Sequence, residues 1–456
     1  MVLREYQNLG AAFLAERERA MLLAPVGAGK TAITLTAIRR ALHAGRVTRV
    51  LVLAPLRVAA SVWPEEAAKW APDLRLAVAV GTRAQRELAF YSSAQVLVTN
   101  YDNVQTLPSL LGFDAVVFDE LTRLKNPSGQ RFKALEKLIA HIPIRWGLTG
   151  SFTSNGLEDT FGQSKIVAQA LLGRSKGAFL QQYFHCINRD YQQWKPAAGS
   201  YEAVMQRIKP ATFLLEPGEY SDKLPPLETV VLRCDMPDRA PYEKMKRDFV
   251  VQFPNAVAVA ANAAVVVGKL AQMSSGFVYD TSSRPDPAQP GGFITTRNPV
   301  WFSRHKFELL ENLLSENQRA PTIIAYQFRE ELAELQRRYP HAITLDDDDA
   351  IARWNSGAAE LLLVHPKSAQ YGLNLQAGGC RLVLLSLPWS LVDYEQLVGR
   401  LHRSGQRHTV WVYILVTANT IDERIWTTLR DRRSLSDLAL EVLSQQPTPN
   451  QQPTGV

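Results

Sequence analysis

Ala24-Pro25-Val26-Gly27-Ala28-Gly29-Lys30-Thr31 follows a short apolar run at residues 20–23 and precedes a helical pattern at residues 32–42. A strand, a glycine turn, Gly-Lys-Thr and a helix in this order predict a phosphate-binding P-loop. Glycines allow successive backbone N–H groups to turn toward a polyphosphate, and the helix N-terminus adds its positive dipole end. Ala24 stands where the consensus has its first glycine, but Gly27 and Gly29 keep the turn possible. The alternative is a glycine-rich turn with an exposed lysine.

Two side chains of this stretch carry the predicted chemistry. Lys30 is expected to reach the β- and γ-phosphates, and the Thr31 hydroxyl is expected to ligate Mg²⁺. ATP and Mg²⁺ are therefore the expected cofactors. The residues predicted here to bind them are Gly27, Ala28, Gly29, Lys30 and Thr31.

Length and composition limit the possible classes of protein. A chain of 456 residues is too long for one ordinary core and suggests two or three domains. Its 46% hydrophobic and 21% charged residues are typical of a soluble globular protein. The formal net charge of +7 suits a polyanionic partner without requiring one.

Targeting and redox signals are weak throughout the chain. No apolar run approaches the length of a bilayer span, and residues 1–5 do not resemble a signal peptide. Cys186, Cys234 and Cys380 are scattered, which disfavours a zinc site or a disulfide framework. We expect a cytoplasmic protein with no membrane partner.

The first part of the chain alternates between predicted strands and helices. Helical patterns such as residues 59–70 and 130–141 separate the strands. This alternation predicts a doubly wound parallel sheet, whose ligands bind beyond the carboxyl ends of the strands. The strands are predicted at residues 47–54, 95–99, 115–118 and 144–148. At their carboxyl ends lie Pro55 and Arg57, Asn100 and Tyr101, Asp119 and Glu120, and residues 149–151.

The pattern changes after residue 161. An aromatic-rich segment at about 161–210 is predicted to be a helical insertion without clear strands. It is followed by an extended strand at 229–234, a helical region at 242–273 and an exposed loop at 281–299. Further strands, predicted at residues 322–326, 341–345, 361–364, 381–387 and 410–416, indicate a second α/β domain without its own P-loop.

These changes predict the domain organisation. The first domain is expected to span residues 1–223 and to include the insertion. A linker and helical segment at 224–300 is expected to connect it to a second domain at 301–444. Residues 445–456, rich in Gln, Pro and Thr, are expected to form a disordered tail.

The acidic pair Asp119 and Glu120 ends a predicted strand of the sheet that carries the P-loop. Asp119 is expected to hold the metal through water, and Glu120 to orient and activate the attacking water. The alternative is a surface acidic pair that caps the following turn.

Further motifs occur in order along the first domain. They are Leu-Arg-Glu-Tyr-Gln at 3–7, Asp-Glu-Leu-Thr-Arg-Leu-Lys-Asn at 119–126, Leu-Thr-Gly-Ser at 148–151 and Leu-Pro-Pro at 224–226. The chain thereby resembles helicase superfamily 2 and, within it, the Swi/Snf-type ATPases. The resemblance implies that Gln7, with Arg4, binds the adenine end of the nucleotide. It also implies that Ser151 lies in the motif that couples the nucleotide to the nucleic acid. Phe152 and Thr153 replace the usual Pro-hydrophobic pair after that motif.

The second domain carries the most specific resemblance. Residues 371–376, Tyr-Gly-Leu-Asn-Leu-Gln, resemble the family's G-x-N-L motif, and residues 396–406 resemble Q-x-x-G-R-x-H-R-x-G-Q. On a helix, Gln396, Arg400 and Arg403 would lie on one face, because they are spaced by four and three residues. Both guanidinium groups would then point at a γ-phosphate across a cleft. The alternative is a solvated basic helix face. Compact relatives, including those of bacteriophages, share His-Pro-Lys-Ser at 365–368, and this resemblance implies a bacterial or phage-infected host cell.

The resemblance implies an α/β fold of two tandem RecA-like domains, with parallel sheets flanked by helices and a helical insertion. It also implies an ATP-dependent motor that translocates on double-stranded DNA. The expected catalytic residues are Lys30, Asp119, Glu120, Arg400 and Arg403, and Gln396 is expected to bind the nucleotide. The expected nucleic-acid contacts are Pro55, Arg57, Asn100, Tyr101, Ser151, Gly372, Asn374 and Trp389. Core packing is the alternative for Trp389.

Other functions stay open at this stage. The motor could instead separate the strands of DNA or RNA. A nucleic-acid-binding scaffold without ATP hydrolysis is a second alternative, which the intact catalytic residues disfavour. A motor coupled to a nuclease is a third, and the nuclease, or a replication or recombination protein, would then be a separate partner chain.

Overall fold

The computed structural model describes residues 2–106, 108–153, 156–188, 193–215, 224–253, 256–260, 263–285, 293–368 and 373–444. The chain divides into two compact units. One is Met1–Lys223 with Arg432–Val456, and the other is Leu224–Asp431. None of the helices in the described part of the chain combines the length and apolar character that a bilayer crossing requires.

The first unit is built on a seven-stranded sheet in which every neighbouring pair is parallel. The strand order is β3-β4-β2-β5-β6-β1-β9. These strands are β1 Arg19–Leu23, β2 Val50–Ala54, β3 Leu76–Ala79, β4 Val96–Asn100, β5 Ala115–Phe118, β6 Ile144–Thr149 and β9 Thr212–Leu214. The sequence did not predict β3 or β9.

Both faces of this sheet are covered, which explains why its strands are continuous apolar runs. Along β1, Met21 and Leu23 belong to one hydrophobic core. Ala20 and Leu22, which point the other way, belong to a second core. The covering helices are α1 Glu5–Glu16, α2 Lys30–His43, α3 Trp63–Trp70, α4 Arg83–Phe90, α5 Gln130–Leu138, α6 Asp159–Ala168, α7 Lys176–Tyr183 and α8 Ser200–Ile208.

The predicted insertion at 161–210 contains parts of α6, α7 and α8, but the expectation that it lacks strands was wrong. An antiparallel hairpin joins β7 Phe184–Asn188 to β8 Gln193–Pro196. Most of its side chains are at least partly exposed, so the hairpin has little of the apolar alternation by which a strand is recognised. Phe184 anchors it by packing on Phe179, with ring centroids 5.6 Å apart.

The second unit is built on a six-stranded sheet, again with only parallel pairs, in the order β10-β19-β18-β15-β17-β16. Its strands are β10 Leu227–Cys234, β15 Thr322–Ala325, β16 Ile343–Thr344, β17 Leu361–Val364, β18 Arg381–Leu384 and β19 Val410–Thr417. All eight residues of β10 pair with β19. The segment after residue 224 is therefore part of this sheet, not only a linker.

Two predictions for the segment before residue 301 were wrong. The helical region at 242–273 is interrupted by the hairpin of β11 Val250–Phe253 and β12 Ala256–Val259. The loop predicted at 281–299 includes parts of a longer hairpin, β13 Phe277–Pro285 with β14 Phe293–Trp301. Pro, Gly and Ser in this segment suggested a loop, whereas the base of the hairpin, at Phe277 and Val278, is fully buried.

Seven helices are described in the remainder of the chain. They are α9 Ala240–Asp248, α10 Ala263–Ser274, α11 His305–Glu316, α12 Arg329–Arg338, α13 Ala350–Asn355, α14 Leu391–Val398 and α15 Ile421–Ser444. The second domain was predicted to reach residue 444, but the described residues 432–444 group with the first unit. The predicted tail at 445–456 lies outside the described residues.

The predicted fold class is confirmed. Two parallel sheets, each covered by helices, form two RecA-like units in tandem.

Candidate active site

The P-loop connects the end of β1 to the start of α2. Gly27 and Gly29 have left-handed backbone, with φ of 87° and 83°. Glycine is favoured at position 29 by its conformation, and a Cβ there would lie 2.4 Å from Nε2 of Gln7 and would displace that amide. Lys30 Nζ donates to the carbonyl oxygens of Ala24, at 2.9 Å, and Pro25, at 3.1 Å. The loop therefore has the folded-back shape that a polyphosphate requires.

Ala24, the departure from the P-loop consensus, causes no visible distortion. Its N–H donates to Thr149 O at 3.0 Å, and thus extends the pairing of β1 with β6. It is absent from the described residues with positive φ, so the glycine of the consensus is not needed for backbone conformation at this position.

Gln7 and Tyr6, on the first turn of α1, hold the other side of the loop. The Gln7 amide donates to Ala28 O at 3.3 Å and accepts from Arg4 N at 2.9 Å. The Tyr6 hydroxyl donates to the same carbonyl at 3.2 Å. Gln7, predicted to bind the adenine end, thus lies next to the phosphate loop and helps to fix its backbone.

Asp119 follows β5, and one strand, β6, separates it from β1. Since neighbouring strands lie about 4.8 Å apart, the two strand ends are roughly 10 Å apart. Asp119 is buried, and its Oδ2 accepts a 2.9 Å hydrogen bond from Trp63 Nε1. Burial raises the pKa of Asp119 to about 6, which the Trp63 hydrogen bond and the Lys30 charge partly oppose. A carboxylate at this place, with the Thr31 hydroxyl, is a suitable donor set for Mg²⁺ beside phosphate oxygens.

Glu120 has an unusual backbone conformation, with φ 60° and ψ 63°. Left-handed backbone is uncommon for residues with side chains, and such outliers cluster at functional sites. The carboxylate is half-buried, and its Oε1 accepts from Thr122 Oγ1 at 2.8 Å. This hydrogen bond fixes the side chain next to Asp119, where a water-activating group is expected.

Four of the five nucleic-acid residues predicted in the first unit are buried: Pro55, Asn100, Tyr101 and Ser151. The Tyr101 hydroxyl donates to Asp119 O at 2.9 Å. Burial raises the pKa of Tyr101 well above its usual value, so the hydroxyl stays a donor. This hydrogen bond makes Tyr101 a support for the backbone at Asp119, and its contact with nucleic acid stays a prediction. Arg57, in contrast, is exposed.

In the second unit the two predicted motifs pack on each other. Leu375 N donates to Arg400 O at 3.4 Å, and Arg403 Nη1 donates to Leu373 O at 3.3 Å. Gln406 Nε2 donates to the carbonyls of Gln376 and Gly379 at 3.1 and 2.9 Å. The G-x-N-L segment and the arginine-rich segment therefore form one connected structure.

The predicted helix face of Gln396, Arg400 and Arg403 was wrong. Helix α14 ends at Val398, with Gly399 as its C-cap, so only Gln396 is helical. The turns after the helix bury Arg400 and leave Arg403 half-buried. A glycine after the last apolar residue of a helical pattern indicates the end of the helix, and the prediction from residue spacing did not take Gly399 into account.

The other predicted contacts of the second unit differ in exposure. Asn374 and Trp389 are exposed, Trp389 at 47%, which argues against the core-packing alternative for Trp389. Gly372 lies outside the described residues.

Two further residues of the first unit were not predicted. Trp63 lies at the start of α3 and donates to Asp119, and Tyr6 contacts the P-loop. Trp63 is fully buried and looked like any core tryptophan of an amphipathic helix. The sequence signal that could have identified Trp63 is its position after β2, the strand next to β5, because residues that follow parallel strands lie near the carboxyl edge of the sheet.

Comparison with known proteins defines the class of this chain. The SNF2-related domain model matches residues 6–263, and the Helicase conserved C-terminal domain model matches residues 305–405. The chain belongs to the SNF2-related family, as the motifs predicted, and it is a helicase-like protein of superfamily 2.

Several known proteins are similar to this chain. Putative protein p41 of Acyrthosiphon pisum secondary endosymbiont phage 1 is 33% identical over 470 residues, which cover 97% of this chain and 98% of that protein. The Mus musculus DNA repair and recombination protein RAD54B is 25% identical over 438 residues, covering 83% of this chain but only 48% of that protein. The Sulfolobus solfataricus SWI2/SNF2 ATPase core in complex with dsDNA is 22% identical, with 97% of this chain and 93% of that chain covered and a TM-score of 0.46.

Proposed function

We propose that this protein hydrolyses ATP and uses the energy to move along double-stranded DNA. The observation that carries the proposal is the convergence of three motifs at the carboxyl ends of β1, β6 and β5, which are consecutive neighbours in the first sheet. These motifs supply Lys30, the Thr149–Ser151 segment, and Asp119 with Glu120. Membership of the SNF2-related family supports the use of a nucleotide.

The residues at this edge fit ATP and Mg²⁺. The left-handed glycines and the first turn of α2 would hold the phosphates, and Lys30 would exchange its hydrogen bonds to the loop carbonyls for contacts with them. Thr31 and Asp119 would hold Mg²⁺, which when bound neutralises charge on the β- and γ-phosphates. Because the pKa of Asp119 is about 6, its carboxylate is mostly ionised at neutral pH and is available as a ligand.

Glu120 is the proposed water-activating group. Its carboxylate adjoins Asp119, and Thr122 fixes its orientation. Arg400 and Arg403 are proposed to stabilise the negative charge on the γ-phosphate in the transition state. The hydrogen bonds from Arg403 to Leu373 and from Leu375 to Arg400 would transmit a change at these arginines to the G-x-N-L segment.

Duplex DNA is the proposed track. The net charge of +7 favours a phosphate backbone of some kind, and the mouse relative is named a DNA repair and recombination protein. Among the predicted contacts that the structure describes, Arg57, Asn374 and Trp389 have enough exposure to reach it. Because backbone contacts carry little sequence information, weak sequence preference and strong salt dependence are expected. The phage relative supports the cytoplasm of a bacterial host as the place of action.

A titration of ATP hydrolysis tests the proposal. Blunt duplex, single-stranded DNA and RNA of equal length are compared at one fixed salt concentration, with Glu120→Gln as the control for contaminating ATPases. Duplex DNA is expected to stimulate hydrolysis most, with little dependence on its sequence. Absence of any stimulated hydrolysis contradicts the motor, and would leave the scaffold alternative.

A second assay separates translocation from unwinding. Displacement of the third strand from a triplex, without release of a strand from a forked duplex, is expected of a translocase. Release from the fork, together with equal or greater stimulation of hydrolysis by single strands, contradicts the duplex-translocase proposal and favours a helicase.

A further inference from the structure

The end of helix α13 is hydrogen-bonded to the G-x-N-L segment of the second unit. Two consecutive side chains at this helix end are the donors. Trp354 Nε1 donates to Leu375 O at 2.8 Å, and Asn355 Nδ2 donates to Asn374 O, also at 2.8 Å. Trp354 and Asn355 lie outside the motifs that supply the candidate active site, and about twenty residues before the segment that they contact.

The arginine-rich segment is bonded to the same part of the chain. Arg403 Nη1 donates to Leu373 O at 3.3 Å, and Leu375 N donates to Arg400 O at 3.4 Å. The carbonyl groups at 373, 374 and 375 therefore each accept a hydrogen bond from a side chain, the first from Arg403 and the other two from α13. Residues 373–375 thus connect α13 to both arginines by direct hydrogen bonds.

Apolar packing reinforces this connection. Trp354 is fully buried and belongs to one hydrophobic core with Leu373, Leu375 and Leu401. A Cβ on Gly378 would clash with the carbonyl oxygen of Trp354, so the chain after the G-x-N-L segment approaches α13 as closely as glycine allows. Because a close-packed interior transmits strain, a change at the end of α13 should displace residues 373–375.

The hydrogen bond from the indole is the stronger constraint on the buried part of the segment. Leu375 is fully buried, and its carbonyl oxygen also accepts from Gly378 N at the longer distance of 3.4 Å. A buried carbonyl group that loses its donor has a free-energy cost, which the chain can reduce by moving. The Asn355 hydrogen bond lies nearer the surface, since Asn355 is half-buried and Asn374 is exposed.

We propose that Trp354 and Asn355 are positioning residues, which hold Arg400 and Arg403 in place through residues 373–375. The proposal rests on the proposed function, because it takes the two arginines as the groups that stabilise charge on the γ-phosphate. A displacement of about 1 Å at such a group can reduce the rate by roughly 10²-fold. The two side chains of α13 therefore set the rate of ATP hydrolysis without being catalytic residues.

Kinetics of Asn355→Leu test the proposal. The variant keeps the approximate size of the side chain but loses the amide donor, and the half-buried position should allow it to fold. With saturating duplex DNA, kcat for ATP should fall roughly 10- to 100-fold, while KM for ATP should change less than about threefold. A merely structural contact would lower the stability to urea but leave kcat of the folded protein unchanged.

Two further variants complete the kinetic test. Trp354→Phe removes the indole N–H but keeps an aromatic ring in the core, and it should lower kcat with the same small change in KM. Ser356→Ala, at the exposed C-cap of the same helix, is the matched control and should keep the wild-type kcat. If the wild type hydrolyses ATP and Asn355→Leu keeps its kcat, with or without weaker DNA binding, the positioning role is overturned and the proposed motor stands.

Hydrogen–deuterium exchange measured by mass spectrometry tests the same connection without requiring activity. Asn355→Leu should increase the exchange rate of amides at 399–406 roughly tenfold, because the loosened segment no longer holds them. Amides of α2 in the first unit should exchange at an unchanged rate and are the internal control. Faster exchange at 399–406 in Asn355→Leu but not in Ser356→Ala supports the proposal. Equal exchange in the wild type and Asn355→Leu overturns it, even if the wild type has no ATPase activity.

Discussion

In the first unit the site residues lie directly after the ends of nearby strands of one sheet. In the second unit they lie in loops that are hydrogen-bonded to one another. Asp119 and the P-loop are fixed by the sheet itself, since β5, β6 and β1 are neighbours. Arg400 and Arg403 are fixed by contacts with the carbonyl and N–H groups of Leu373 and Leu375. A site on strand ends has a rigid frame, but a site on paired loops can change shape when one loop moves. We infer that the strand-end site of the first unit holds the nucleotide and that the loop site of the second unit is the part that changes shape.

The largest expected effect is that of Arg400→Ala. If Arg400 stabilises transition-state charge, ATP turnover should fall by roughly 10³–10⁵-fold while the affinity for ATP changes much less. Steady-state hydrolysis and binding of a fluorescent ATP analogue measure the two quantities. Arg407→Ala, in an exposed position nearby, is the matched control and should stay active. Near-normal turnover with weaker DNA binding would instead place Arg400 at the nucleic-acid site.

Glu120→Gln tests the corresponding group of the first unit. Loss of the general base should reduce turnover by roughly 10²–10⁴-fold. Binding of ATP and DNA should persist, because Lys30 and Asp119 are unchanged. Single-turnover hydrolysis, with the exposed Glu18→Gln as control, provides the measurement. Substantial steady-state hydrolysis by Glu120→Gln would show that another group activates the water.

The pH dependence of hydrolysis reports on Asp119. Its pKa of about 6 predicts that activity falls as the pH drops through 6, because the protonated carboxyl cannot hold Mg²⁺. Trp63→Phe removes a donor that lowers this pKa, so the midpoint of the acid limb should move upward, by roughly one pH unit. Trp70→Phe, on the same helix, is the control. An unchanged midpoint in Trp63→Phe would mean that another group controls the acid limb.

The free energy of unfolding should also depend on the protonation of Asp119. The pKa of Asp119 is higher in the folded protein than its ordinary value of 3.8. Protonation therefore favours the folded state, and the contribution of Asp119 to the free energy of unfolding decreases as the pH rises from about 4 through about 6.

The smallest expected effect concerns the loops of the second unit. His402 Nε2 lies 2.8 Å from Pro225 O, and His402→Ala removes this hydrogen bond. The free energy of unfolding should fall by about 1 kcal/mol. Urea unfolding measures the change, with the exposed His408→Ala as control. A loss of turnover without a loss of stability would indicate that His402 acts on the site and does not merely support it.

The two units also differ in how well their sites could be predicted. In the first, an apolar run followed by a glycine motif or a carboxylate pair defines a strand end, and strand ends converge in a parallel sheet. The positions of Lys30 and Asp119 could therefore be inferred from the sequence. Trp63 could not, because a buried tryptophan on a helix has the same pattern whether or not its N–H has a functional partner.

In the second unit, residue spacing was a poor guide. The spacing of Gln396, Arg400 and Arg403 suited a helix, but Gly399 ends it. The hairpin at Phe277–Pro285 with Phe293–Trp301 was also missed, as was the hairpin at Phe184–Asn188 with Gln193–Pro196 in the first unit. Their strands pair outside the two main sheets, so they lack the continuous apolar runs that identified the core strands.

The left-handed backbone at Glu120 means that the fold does not require glutamate at a position where the proposed chemistry does. Glycine adopts φ of 60° without steric cost, so Glu120→Gly should gain about 1 kcal/mol in this conformation, less the loss of the Thr122 hydrogen bond and the greater freedom of glycine in the unfolded chain. The same change removes the proposed water-activating carboxylate. A selection for thermal resistance alone would therefore tolerate the loss of catalysis here, and variants with improved melting temperatures need an activity screen at this position.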